Sequence, residues 1–338
     1  MNDRKKITMQ HIADRLQISK NSVSQALSGK PGVSDETRML VQKTAEDLGY
    51  QYLTVRKAAK KNSPKNIALI ASEYAFSLTS FFGKIYLSIE KEVHNRGMNL
   101  FIESINSDDK ENLILPKLLS NHEIDGILIL SHISTEYISA VIKTGIPTVL
   151  IDHHDPLLHA DAILTNNRYG AYIAVEHLIR LGHKNIAYIG NTDISPSYQE
   201  RLEGYLLALK RNNLEANPGL MFINVKENET EISHLIANIK ELPSAWFCVN
   251  DGFGFHILSS LQHQGLAIPE EASICSFDNG QFSQYASPKI TTMDIDLNFF
   301  GKKAVEQLYW RIQHKEEPFQ EVLLSPKLLV RQSTSIKS

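Results

Sequence analysis

The pattern of apolar and polar positions changes character once along the chain. Over the first 50 residues apolar side chains recur at helical spacing in short bursts. They are Ile12, Ala13 and Leu16, then Val23, Ala26 and Leu27, then Leu40, Val41, Thr44, Ala45 and Leu48. Thr8 and Ser19 stand where the first two helices need N-caps, and Gln17 and Ile18 interrupt between them. Ser34, Asp35 and Glu36 open the third helix with a cap and first-turn acids, and Gly49 stops it. The spacing predicts three short helices around one small core, the first two crossing over a tight turn. The outer face of the second then carries Lys20, Asn21 and Gln25, long polar side chains of the kind that reach base edges in a major groove. The plainer reading of this segment alone is a helical hairpin with a solvated face.

Beyond residue 65 the period changes. Apolar strand patterns at 67–71, 99–103, 126–130, 147–151 and 162–165 are followed by a second series at 185–190, 220–224, 245–249, 273–277 and 291–295. Amphipathic helical stretches, among them 81–96, 169–181, 199–211 and 253–264, separate them. Continuous apolar strands alternating with helices predict parallel sheets covered on both faces, and two series predict two doubly wound α/β lobes. Such lobes bind ligands at the carboxyl ends of their strands. Asp152, Asn250 with Asp251, and Asp278 with Asn279 end strand patterns there. Planar carboxylates and amides suit a polyhydroxylated ligand, whereas capping of the following helix is the alternative for Asn250 and Asp251.

Charge separates the same two regions. Residues 1–65 carry 13 Lys and Arg against 6 Asp and Glu, net +7; chain totals of 35 and 38 leave 22 against 32, net −10. The overall −3 therefore hides a basic head, which attracts a polyanion, on an acidic body. No apolar run approaches a membrane span, and the two cysteines, Cys248 and Cys275, sit in apolar strand patterns as expected of buried free thiols in a reducing cytoplasm. No dinucleotide-binding, phosphate-loop or nucleophile-elbow motif is present in the sequence. Asp152, His153, His154 and Asp155 look like metal ligands, but adjacent residues on one loop rarely converge on an ion. Neither a metal nor a cofactor is expected, and the protein is not expected to be an enzyme.

Taken in order, these features resemble the LacI/GalR family of transcriptional regulators over nearly the whole chain. The carrying segments are IADRLQISKNSVSQALSGKPGVSDETR, VEHLIRLGHKNIAYIG, RLEGYLLAL, FCVNDGFG, GLAIPEEASICSFDN and SPKITTMDID. The resemblance implies a helix-turn-helix domain at 1–50, a hinge at 51–64, and a periplasmic-binding-protein-like body at 65–338. It implies lobes formed by 65–165 with 295–325 and by 166–294 with 326–338, joined by crossovers near Asn166, Asp294 and Ser325. A homodimer, a near-palindromic operator in double-stranded DNA, and a small effector, most commonly a sugar, follow from the same likeness.

Roles carry over by position. Lys20, Asn21 and Gln25 match the base-reading positions; Ser19, Ser22 and Ser24 match residues that hold phosphates, and Thr8 one that positions the first helix on the backbone. Arg201, Asn250 and Asp278 match effector contacts, Asp152 lies where another often occurs, and Phe81, Phe82 or Trp246 could offer a ring face, with core packing the alternative for Phe82 and Trp246. Two positions depart from the family. Ala59 stands where a leucine usually wedges into the minor groove, so the hinge is expected to kink DNA less or to use Val55 or Leu53 instead. Gln25 stands where many relatives carry Arg, which shifts the expected base preference from guanine towards adenine. The rival readings are a regulator controlled by a partner protein, by a purine or by a sugar phosphate, and, last, an enzyme fused to a DNA-binding head.

Overall fold

A computed structural model describes residues 7–28, 30–48, 50, 65–73, 75, 81–130 and 133–337. The chain divides into two units, Met1–Pro64 and Lys65–Ser338. Val55 and Ala59, with the rest of 51–64, lie outside the described residues.

The first unit contains helices α1 (Met9–Leu16), α2 (Lys20–Ser28) and α3 (Asp35–Asp47). Ile12, Ala13, Val23, Ala26, Val41 and Ala45 form its core, with Leu16, Leu27 and Leu48 packed at the edge. Each helix starts as its sequence dictates. His11 Nδ1 lies 3.0 Å from the Thr8 N–H and 2.8 Å from its hydroxyl. Ser19 Oγ accepts from Ser22 N–H at 3.0 Å, and Ser34 Oγ from Thr37 N–H at 3.2 Å. Gln17 ends α1 in the left-handed region, φ 52°, and so turns the chain into α2. The expectation for Leu40 was wrong: it is 53% exposed. At 100° per residue the buried arc of α3 is spanned by Val41, Thr44 and Ala45, and Leu40 falls roughly a quarter-turn from its centre.

The second unit contains two six-stranded sheets. The strands are β1 (Asn66–Ser72), β2 (Asn99–Ile105), β3 (Gly126–Leu130), β4 (Thr148–Ile151), β5 (Asp161–Thr165), β6 (Ile186–Ile189), β7 (Met221–Phe222), β8 (Ala245–Cys248), β9 (Ser273–Asp278), β10 (Thr291–Asp294), β11 (Glu321–Leu324) and β12 (Lys327–Leu329). One sheet runs β11-β5-β4-β3-β1-β2, the other β12-β10-β9-β8-β6-β7. Every pairing is parallel except β10 with β12. The helices are α4 (Phe82–Asn95), α5 (Ser107–Glu111), α6 (Lys117–Asn121), α7 (Thr135–Ile142), α8 (Asn167–Arg180), α9 (Pro196–Arg211), α10 (Glu229–Ala237), α11 (Asp251–His263), α12 (Gln281–Tyr285) and α13 (Leu297–Gln313).

The chain leaves the first sheet after β5, returns to pack α13 and β11 on it after β10, and leaves again for β12. The continuous apolar runs placed ten strands; β11 and β12, four and three residues long, were not among them. The pattern at 220–224 shortens to Met221–Phe222, because a 3₁₀ turn at Pro218–Leu220 precedes it and Asn224 bridges antiparallel to Asn191.

The first sheet is held at its α13 side by a buried pair. Arg311 donates to Asp161 at 2.7 and 2.8 Å and to the carbonyls of His314, Glu317 and Pro318. In the second lobe α8 and α9 pack closely at Gly204, where a Cβ would come within 2.3 Å of Arg168 O. That approach is in the middle of α9, one helical turn after Arg201.

Candidate functional site

Both sheets present their carboxyl ends to one cavity of about 210 Å³. Phe81 and Phe82 enter from the start of α4 and Asp152 from the end of β4. Tyr198 and Arg201 come from α9, Glu227 from the segment after β7, Asn250 from the end of β8, and Asp278 from the end of β9. The structure therefore brings Asp152, Arg201, Asn250, Asp278 and Phe82 together, although they are spread over nearly 200 positions of sequence. Trp246 belongs elsewhere: it is fully buried in the second lobe and stacked on Phe222 at 5.9 Å.

Arg201 is the hub. It is buried; its Nε donates to Asn167 Oδ1 at 2.9 Å and its Nη1 to the Val249 carbonyl at 2.5 Å. Its guanidinium carbon sits 3.8 Å from the centre of the Phe277 ring. Nη1 also faces Asp278 Oδ1 at 3.3 Å, an ion pair without hydrogen-bond geometry. Asn167 in turn donates to Glu200 at 2.9 Å, and Glu200 lies 3.4 Å from His154 Nε2. Asn167 and Glu200 were missed by sequence reasoning; the only signal was the adjacency of Glu200 to Arg201.

Two carboxylates reach the cavity from strained backbone. Asp152 has φ 54° and Asp278 φ 101°, the latter outside the ordinary left-handed basin. A non-glycine residue held there costs about 1–3 kcal/mol, and such strain gathers at ligand sites. Oδ1 of each is buried and makes no hydrogen bond among the described residues. Burial pushes the Asp152 carboxyl up to about 7, with Asp278 adding to the rise and Arg201 opposing it. Burial likewise raises Asp278, against the pull of Arg201. These are acceptors waiting for donors.

Asn250 and Asp251 behave differently from that pair. Asn250 Oδ1 caps α11 through Phe253 N–H at 2.9 Å, and its amide donates to Tyr198 Oη at 2.9 Å and to Glu227 Oε2 at 2.7 Å. It orients two wall residues while capping a helix, so both readings of it describe part of what it does. Asp251 accepts from Ser276, Thr292 at 2.7 Å, Gly280 N–H at 2.5 Å and Ser283 at 2.8 Å. Those four donors occupy the lone pairs of its carboxylate and tie β9, β10 and α12 to α11.

The walls are apolar: Phe81 and Phe82 meet edge to face at 5.0 Å, and Phe282, stacked on Phe255, lies across the cavity lining. Among the described residues no cluster of potential ligands could hold a metal ion. His154 lies against Glu200 and Glu321, and its contact with Glu200 raises its pKa.

In the head, Lys20 and Asn21 are exposed at the first turn of α2, and Ser22 and Ser24 are half-buried. Gln25 is also half-buried, its side chain lying against Gly32 in the turn that follows α2. Arg38 of α3 caps the same helix end, donating to Ala26 O at 3.2 Å and Lys30 O at 3.0 Å.

A two-lobed binding body with its cavity at the strand ends, carried on the same chain as a helix-turn-helix head, defines a ligand-regulated DNA-binding protein. Residues 175–334 match the periplasmic binding protein-like domain family. The ribose operon repressor of Haemophilus influenzae is 30% identical, covering 96% of this chain and 98% of its own length. The HTH-type transcriptional repressor PurR of Aliivibrio salmonicida is 29% identical, covering 96% and 98%. A LacI family regulator from Enterococcus faecium with bound ribose superposes with a TM-score of 0.68 at 26% identity, covering 81% of this chain and all of its own. The chain belongs to the LacI family of transcriptional repressors, and it is a regulator rather than an enzyme. Among the described residues no helix is long and apolar enough to cross a membrane.

Proposed function

We propose that this protein represses carbohydrate-utilisation genes and that a sugar bound between the two lobes sets its affinity for DNA. The observation that carries the reading is the pairing of two unsatisfied carboxylates, Asp152 and Asp278, from opposite lobes across one buried guanidinium, between phenylalanine walls. Vicinal hydroxyls donate to such carboxylates and accept from the arginine, while ring C–H faces lie on Phe81 and Phe282. The relative named as a ribose operon repressor and the structural neighbour with bound ribose support the same class. Residues 1–50 act as the reading domain, 51–64 as the hinge and 65–338 as the effector body, working as a homodimer in the cytoplasm.

Two heads on a twofold axis read a near-palindromic operator in double-stranded DNA. Lys20, Asn21 and Gln25 contact bases; Ser19, Ser22, Ser24 and Thr8 hold the phosphates. Gln25 reaches bases only by leaving Gly32. The ligand acts through its different affinity for the two lobe arrangements, favouring the one that releases DNA.

Operator binding titrated against a panel of neutral sugars tests this. A sugar that weakens operator binding in the wild type but not in Asp278→Ala is the expected result. Operator binding that no sugar changes, with the protein folded and DNA-competent, sinks the reading.

A further inference from the structure

The cleft gathers more carboxyl groups than a neutral ligand can answer. Among the described residues Asp152, Glu227, Asp251 and Asp278 line it, with one cation, Arg201. Arg201 is already committed to Asn167, to the Val249 carbonyl and to Asp278. Asp251 is saturated by protein donors, whereas Asp152, only 8% exposed, has an oxygen that makes no hydrogen bond among the described residues. Lys84 lines an adjoining polar cavity, not this one.

Glu227 is the unexpected member. Asn250 holds its Oε2 at 2.7 Å, and a Cβ at position 252 would come within 1.7 Å of its Oε1. Gly252 thus leaves room for a carboxylate at the cavity wall. Asp152, Glu227 and Asp278 line the same cavity, and Asp278 disfavours ionisation of each of the other two. A hydroxyl offers such a group one donor and no charge; an ammonium offers three donors and a full positive charge.

We infer that the ligand is a polyhydroxylated molecule bearing a protonated amine, an amino sugar in its free-amine form, and that Glu227 is the specificity-determining residue for the amine. This rests on the sugar reading above and deepens it. Neutral sugars bind more weakly, and a sugar phosphate meets no second cation among the described lining residues.

Calorimetric titration of the full-length protein with glucosamine, galactosamine and mannosamine tests the inference, each against its parent hexose, its N-acetyl form and the hexose 6-phosphate. At least one amino sugar is expected to bind about tenfold or more tightly than its parent, ~1.4 kcal/mol. Glu227→Gln keeps an oxygen for Asn250 and is expected to erase that preference. A parent or N-acetyl form that binds as tightly as the amine overturns the inference and leaves the sugar reading intact. A preference that survives Glu227→Gln overturns the assignment to Glu227. Failure of every sugar to bind overturns both. The wild-type comparison decides the amine preference even if the variant does not fold.

Discussion

The head and the body solve opposite problems with their polar residues. In the head the core is six small or medium apolar side chains, and the candidate reading residues Lys20 and Asn21 stand exposed on the first turn of α2. Nothing in the fold depends on them. In the body the corresponding residues are buried, strained or both: Arg201 is 2% exposed, Asp152 8%, and Asp278 holds φ 101°. A groove in DNA comes to the protein with its own water and counterions, so its readers wait in solvent. A small ligand must be enclosed, so its readers give up solvation before it arrives.

The contrast is broken most severely at Arg201. Arg201→Ala leaves Asp278 without its cation and removes the link to Asn167 and Val249. Loss of one partner of a buried pair costs about 3–5 kcal/mol. Thermal unfolding of the variant is expected to show a body destabilised on that scale and no response to effector; an unchanged melting temperature would show the guanidinium to be dispensable to the fold.

Asp152 gives a smaller effect of opposite sign. Burial raises its pKa from the ordinary 3.8 to about 7, so the stability associated with the protonated form is complete below about pH 4 and is lost as pH rises towards 7. Each displaced unit corresponds to ~1.4 kcal/mol. Asp152→Asn, which cannot ionise, is therefore expected to leave the ligand-free body more stable than wild type at pH 8, by up to a few kcal/mol, and little different at pH 4.5. A variant destabilised equally at both values would mean that the carboxylate is satisfied within the protein.

Lys20→Ala marks the other end of the scale. An exposed helix residue without partners in the core should change stability by no more than about 0.5 kcal/mol. Operator affinity should fall by about 1–3 kcal/mol if the side chain reads a base, with relaxed preference at one position. A uniform loss across sequences, with a shallower salt dependence, would make it a phosphate contact instead.

What could be read in the chain differs between the regions for the same reason. The head is local. Capping residues Ser19 and Ser34 lie within one helical turn of what they control, and the core residues of each helix, Ile12 with Ala13, Val23 with Ala26 and Val41 with Ala45, recur within one or two turns. The single error, Leu40, came from drawing the stripe one residue too wide. In the body the strand patterns and the end positions Asp152, Asn250 and Asp278 were legible because parallel strands are nearly continuous apolar runs closed by a polar residue. Phe81 and Phe82 were legible only as alternatives. Glu227, Tyr198 and Asn167 carried no signal, since a glutamate in a loop, a tyrosine near a helix start and an asparagine after a strand are ordinary surface residues until something packs against them. Asp251 reads like Asp278 in sequence, and only its four donors separate a structural carboxylate from a waiting one.

The sequence by itself determined where helices and strands form, that a basic head precedes an acidic body, and which family the chain belongs to, because caps, periodicity and charge act over short separations. Tertiary structure alone decided which acids are satisfied and which are orphaned, and that Gly252 makes room for Glu227. Those outcomes depend on groups 20 to 150 residues apart meeting across two lobes, where burial raises the cost of every unpaired charge.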